Sequence, residues 1–201
     1  MRIGNLEQLR QIYPAAKERA IKKQLSALDE YAQQYVSLSP FFVMATTNAS
    51  HQTDASPRGG VPGFVQVVDS QTLLIPDSSG NNRLDSLQNI VETGRIGMLF
   101  MIPGFDETLR INGRAVISND DSLLARFSGL ERAPRAVIQV QIEDVYLHCP
   151  KAFMRSKLWT AEALANRSIM PTMNEMIYKQ TNSTGPMETQ EQMLARYQAE
   201  L

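Results

Sequence analysis

The sequence predicts a mainly β fold with flanking helices, an α+β barrel built chiefly of antiparallel strands. Six or so short segments between Phe41 and Leu147 are apolar or alternate in polarity. They are rich in β-branched and aromatic residues and are separated by polar turns. The intervening helical segments are too few for the strand–helix alternation of a doubly wound parallel sheet.

Residues 1–39 read as a helical extension packing on the barrel, with Pro14 at a break or at the start of a second helix. Beyond it Ile21, Leu25, Leu28, Ala32 and Tyr35 recur at three- and four-residue steps, the stripe of one amphipathic helix. Ser39-Pro40 ends it, because the residue before proline is biased away from helix. Residues 41–47 form the first strand, followed by a polar turn at 48–52. Residues 64–68 and 72–75 bracket Asp69-Ser70-Gln71 as a hairpin, and 95–102 form an apolar strand that stops at Pro103-Gly104. In residues 108–117, Leu109, Ile111, Gly113, Ala115 and Ile117 face one way and Thr108, Arg110, Asn112 and Arg114 the other. A last strand covers 136–147. Helices are expected at 84–92, at 120–127 behind a capping aspartate, and at 151–159 behind Pro150. The tail beyond Gly185-Pro186 is polar, with Met187, Met193, Leu194 and Tyr197 placed to dock a short helix. The division is thus 1–39, a barrel at 40–149, and C-terminal helices at 150–201.

The 201 residues are 43% hydrophobic and 20% charged, with a formal net charge of −1. That balance gives no global pull toward nucleic acid or an anionic membrane, so an anion site must be local. One cysteine, Cys149, excludes an intrachain disulfide, and its expected role is structural. Two histidines, His51 and His148, make a histidine-rich metal centre untenable. No apolar run reaches the length of a membrane span, and the N-terminus lacks a signal-peptide pattern. The expected location is cytoplasmic.

Four constellations carry candidate chemistry. Asp54-Ala55-Ser56-Pro57-Arg58-Gly59-Gly60 holds an arginine on a tight backbone path, either a phosphate fork or a solvated turn residue. The loop from Asp77 to Arg83 precedes a helix N-terminus that can take an anion. Arg83 is electrostatically misplaced there unless something negative lies nearby, which favours a phosphate at this loop over Arg58. The polar face Thr108, Arg110, Asn112, Arg114 is either the rim of a heteroaromatic ring site or the solvent side of an edge strand. Finally Lys151, Arg155 and Trp159, spaced four apart, share one face of the expected helix and either close over a ligand or anchor it structurally. Fingerprints for dinucleotides, nucleotide triphosphates and zinc are missing.

In order, these pieces resemble the pyridoxamine 5′-phosphate oxidase superfamily, and within it the bacterial flavin-nucleotide-binding subgroup. The carrying segments are Leu38-Ser39-Pro40-Phe41-Phe42, Asp54 to Gly59, Leu74-Ile75-Pro76-Asp77, Gly80 to Leu87, Glu107 to Ala115, His148 to Ala152, and Arg155-Ser156-Lys157-Leu158-Trp159. The resemblance implies an FMN-binding split β-barrel that dimerises with flavin at the subunit interface. It places Ser56 and Arg58 at the phosphate or ring edge and Asn81, Asn82 and Arg83 on the phosphate. Thr108 and Arg110 would line the ring, with Lys151, Arg155 and Trp159 reaching it from the same or the other subunit. The C-terminal arginine–histidine segment of true pyridoxamine phosphate oxidases is missing, which argues against that oxidase activity. The implied function is an FMN-dependent oxidoreductase of a small molecule, with no acid or base assigned. The alternatives are a non-catalytic flavin-storing protein, or a relative using deazaflavin or haem with His148 as ligand. A nucleic-acid-binding barrel is disfavoured by the charge.

Overall fold

The computed structural model describes residues 2–78 and 80–200. Seven strands form one antiparallel sheet in the order β2-β1-β5-β6-β7-β4-β3. They are β1 (Phe41–Thr47), β2 (Thr53–Gly59), β3 (Gln66–Asp69), β4 (Thr72–Asp77), β5 (Arg95–Met101), β6 (Thr108–Ser118) and β7 (Ala136–His148). The inward residues of β1, β4, β5, β6 and β7 meet in one core, including Phe42, Met44, Leu73, Ile75, Met98, Phe100, Ile111 and Val140. Phe64, just ahead of β3 at one end of the sheet, stacks on Phe42 of β1 near the other, ring centroids 5.9 Å apart. The sheet therefore curls until its ends touch, which makes it a barrel.

Strand β2 was not among the expected strands, because Pro57 and the two glycines read as a turn. It lies on the sheet edge, the place where a proline within a strand costs no ladder hydrogen bond. A second irregularity falls where β6 meets β7. The register shifts between Asn112 and Gly113, so Asn112 pairs with Asp144 and Gly113 with Ile142, leaving Glu143 as the bulged residue. The polar strand β6 lies inside the sheet between β5 and β7, so the edge-strand reading of its polar face does not hold.

The N-terminal extension breaks at Pro14 as expected, but the stripe beyond it does not lie on one helix. It breaks into α1 (Leu6–Ile12), α2 (Glu18–Lys22) and α3 (Glu30–Leu38). Leu25 instead makes a β-bridge with Val145. Asp29 starts α3 afresh, its carboxylate accepting from the Ala32 amide at 2.8 Å. Only the second half of the expected stripe is fully buried, at Leu28 and Ala32, while Ile21 is 60% exposed. Tyr35 Oη donates to the Glu107 carbonyl at 2.7 Å, tying α3 to the loop that enters β6. Burial pushes this phenol up to about 12.

Helix α4 (Asp85–Thr93) packs on β1, β2 and β6 and ends at Gly94, whose φ of 64° places it in the left-handed region that favours glycine. Helix α5 (Asp121–Ala125) starts at the expected cap Asp120. Helix α6 (Lys151–Ser156) stops three residues short of Trp159, with Lys157 left-handed at its C-cap. The shared face of Lys151, Arg155 and Trp159 therefore does not form. Trp159 instead stacks on Phe153 at 5.6 Å and donates from Nε1 to the Phe105 carbonyl at 2.8 Å. Helices α7 (Met173–Gln180) and α8 (Gln190–Glu200) follow. In α8 Met193 is buried as expected, whereas Leu194 is 54% exposed. No helix of the described residues is long and apolar enough to cross a membrane.

Candidate functional site

Edge strand β2 fixes the first wall of the site. Ser56 pairs with Met44 and Arg58 with Phe42, both inward-facing residues. Paired residues share a face, so Ser56 and Arg58 project from the inner side of the sheet at its open edge. The end of β4 at Pro76 and Asp77, the following loop, the first turn of α4, and residues 129–132 close the remaining walls. Together they surround a cleft of about 790 Å³, within the usual range for a small-molecule site.

Five of the ten expected site residues line this cleft: Ser56, Arg58, Asn81, Asn82 and Arg83. Arg58 is half-buried, with Nη1 on its neighbouring Pro57 carbonyl at 2.9 Å. Asn81 Oδ1 accepts from the Arg83 amide at 2.9 Å, an Asx turn, and Asn82 adopts a left-handed φ of 59°. These asparagines shape the loop. The electrostatic mismatch expected at Arg83 is resolved within the protein, since Arg83 Nε pairs with Asp85 Oδ2 at 2.6 Å. Both partners are substantially exposed, 78% and 44%, so the pair itself is weak. The charge of Arg83 is thus answered in part within the protein.

Four polar residues beyond the ten expected ones bear on the chemistry. Asp54 accepts from Ser56 Oγ at 3.0 and 3.1 Å and from the buried Ser86 Oγ, stapling β2 to the first turn of α4. The hydroxyl proton of Ser56 is thereby committed to Asp54. Asp77 faces the cleft from the end of β4, and its burial pushes the carboxyl above the usual range against the opposing pull of Arg58. Glu131 and Arg132 arrive from the connection after α5, distant in sequence, and left no local signal. Val61, Phe64, Leu84 and Leu130 give apolar wall, so a guanidinium fork beside apolar surface suits a phosphate monoester carrying an aromatic ring.

The other five residues stand elsewhere. Pro57, Val43, Leu99, Arg110 and Tyr146 form one paired row across the sheet. That row alternates with the inward one, so Arg110 projects from the outer face. Its Nη2 reaches Asp144 Oδ2 at 3.2 Å, and its guanidinium lies 5.0 Å from the Tyr146 ring centroid. Lys23 Nζ lies 4.2 Å from the same centroid. Thr108 is buried opposite His148, and Lys151 and Arg155 are exposed on α6. Arg110 Nε and Asp144 Oδ1 are buried without a hydrogen-bond partner. None of Thr108, Arg110, Lys151, Arg155 or Trp159 lines the cleft of its own chain. Cys149 is exposed, so the structural role expected for it is not one of core packing.

His148 meets Tyr146 edge-on at 5.1 Å. Burial, then the charges of Arg110 and Lys23, hold its pKa below the ordinary histidine value. The unfolded chain therefore binds the proton more tightly. Stability from this group is present above about pH 6.5 and is lost as pH falls through the lower folded value. Thermal unfolding of wild type and His148→Gln between pH 8 and 5 checks this. The wild-type midpoint should fall more steeply below pH 6.5 than that of the variant, and parallel curves would refute the assignment.

The architecture is a split β-barrel, α+β in class. The chain belongs to the pyridoxamine 5′-phosphate oxidase family, whose model matches residues 28–149. No curated protein matches it. Among solved structures it is similar to HupZ of Group A Streptococcus, at 17% identity and a TM-score of 0.50, covering 60% of this chain and 93% of that one. It is also similar to an FMN-binding protein of Syntrophomonas wolfei subsp. wolfei, at 10% identity and a TM-score of 0.46, covering 73% and 98%. At such identities the likeness is one of fold alone.

Proposed function

We propose that this protein is an FMN-binding flavoprotein, a flavin-dependent oxidoreductase acting on a small molecule, and that it works as a homodimer. The observation that carries the reading is the convergence of Ser56, Arg58, Asn81, Asn82 and Arg83 on one cleft with apolar walls. Arg58 would hold the phosphate, supported by Arg83, while Val61, Phe64 and Leu130 would cover the ring. A bound flavin supplies hydride or electron transfer. The protein's own part is to position it, exclude water from its ring and fix the charge around it. Charge-assisted hydrogen bonds contribute about 1.5–3 kcal/mol each, and micromolar affinity needs about 8 kcal/mol, so ring burial must add to the arginines.

The dimer reading follows from the division of the expected residues between two faces. Arg110, Lys151, Arg155 and Trp159 lie outside the cleft of their own chain and would meet that of a second copy, with Thr108 buried behind them. Val43, Ala45, Gly97 and Leu99 make the outer sheet surface between them small and apolar, suited to close packing against another sheet.

Purified protein should show an oxidised-flavin absorption spectrum or, if flavin-free, bind added FMN with micromolar affinity, and should run as a dimer in light scattering. Turnover with a reduced nicotinamide separates an oxidoreductase from a flavin-storing protein. Protein without flavin affinity refutes the cofactor assignment, and a haem spectrum abolished by His148→Ala would replace it with haem.

A further inference from the structure

We propose that Asp54 sets the hydrogen-bond polarity of the cleft. By holding the hydroxyl proton of Ser56 it leaves that serine an acceptor only, so Ser56 selects an O–H or N–H donor on the ligand and turns phosphate oxygens away. The proposal rests on the flavin reading above for the ligand's identity, in which the donor is a ring N–H or a ribityl hydroxyl. Its chemistry stands on Asp54, Ser56 and Ser86 alone.

Asp54 and Ser56 are two apart on β2, so both side chains leave the same face of the strand. Asp54 pairs in the ladder with Thr46 and Ser56 with Met44, both buried. Ser56 lines the cleft, whereas Asp54 stands behind it and does not. Ser56 Oγ lies 3.1 and 3.0 Å from the two carboxylate oxygens of Asp54. An ionised carboxylate only accepts, and a serine hydroxyl carries one proton and two lone pairs. The proton is therefore committed to Asp54, and the lone pairs are what the cleft meets.

A second bond keeps Asp54 from turning away. It also accepts from Ser86 Oγ on the first turn of α4, and Ser86 is 3% exposed. Three residues on, Asn89 Nδ2 donates to Thr46 Oγ1 at 2.9 Å, with both residues buried. Ser86 and Asn89 share one face of α4, and their partners Asp54 and Thr46 are paired residues of β2 and β1. This polar seam fixes the side chain of Asp54 as well as the seat of α4. Buried polar groups joined in this way hold one geometry, since a slip would leave one of them bare.

The charge of Asp54 acts on a phosphate in the same direction as the polarity of Ser56, and Asp54→Asn separates the two. The carboxamide offers one acceptor and one donor group. Ser86 is buried away from water, so the carboxamide oxygen should stay with it and the NH2 should face Ser56. The Ser56 proton is then free to point into the cleft and donate to a phosphate oxygen.

Full-length wild type, Ser56→Ala, Asp54→Asn and the double variant are titrated with inorganic phosphate, FMN and riboflavin by calorimetry, with a thermal melt of each. For phosphate, Ser56→Ala should change nothing in the wild-type background. In the Asp54→Asn background it should cost about tenfold, the loss of one hydrogen bond to a charged acceptor. Equal effects in the two backgrounds would show that Asp54 acts by charge alone and overturn the proposal. Ser56→Ala should weaken FMN and riboflavin by the same factor, about fivefold, because the donor it loses is not on the phosphate. A loss confined to FMN would place Ser56 on the phosphate and overturn the proposal as well. That comparison decides even where Asp54→Asn does not fold, since Ser56→Ala keeps the bond between Asp54 and Ser86. Lumiflavin, which has the ring without the ribityl chain, keeps the loss where the donor is the ring N–H and abolishes it where the donor is a hydroxyl. The phosphate result without affinity for either flavin would leave the polarity of Ser56 standing and refute the flavin reading. Flavin binding untouched by Ser56→Ala would do the reverse.

Discussion

Replacing Gly113 with alanine is expected to destabilise the protein by about 3 kcal/mol or more, at the upper end of what overpacking produces. A Cβ at this position would stand 2.1 Å from the Gln141 carbonyl oxygen and 3.0 Å from its carbonyl carbon. Both atoms are backbone, so no side chain can swing aside to accommodate it. The contact arises because β6 and β7 change register here, with Glu143 bulged out of the ladder. Relief would require β6 to move off β7 in the middle of the sheet, next to the core residues Ile111 and Ile142. Denaturant unfolding followed by circular dichroism measures the effect, with Gly129→Ala as a comparison where the added methyl meets nothing within 4 Å. Similar midpoints for wild type and the Gly113 variant would show that the bulge is not fixed by the glycine.

The bulge was partly legible in the sequence. The inward series Ile138, Val140 and Ile142 changes parity at Val145, and a parity change within one strand is the mark of an inserted residue. Other features were written locally and read directly: the alternation of β6, the Asp120 cap and the strand of β1. The misreadings share a physical origin. Residues 21–35 keep helical spacing, yet Leu25 gains more from bridging Val145 than from continuing a helix, a tertiary choice that periodicity cannot contain. Pro57 reads as a turn unless the strand is known to be an edge. In the site, the loop at 80–83 carried its signal in Gly80, Asn81 and Asn82. Asp54 and Glu131 did not, because their importance depends on which walls the barrel brings together. The arginines were both legible, but the ion pair of Arg83 was not, since its partner lies two residues further on in a geometry only the fold decides.

That ion pair underlies the largest expected effect on binding. Arg58→Ala should weaken FMN affinity by about 10- to 100-fold, the loss of one or two charge-assisted hydrogen bonds from a half-buried fork. Arg83→Ala should cost about fivefold or less, because the Arg83 side chain is 78% exposed and already shares its charge with Asp85. Arg58 is held by its place on β2, opposite Phe42 in the ladder, and a phosphate meeting it need not break an existing ion pair. A phosphate meeting Arg83 competes with Asp85 for the same guanidinium. Fluorescence titration of both variants, and of Asp85→Asn, separates the two accounts. If Asp85→Asn strengthens FMN binding only when Arg83 is present, the competition is real. If Arg83→Ala proves the more damaging of the two arginine variants, the phosphate sits at the start of α4 and Arg58 serves the ring edge instead.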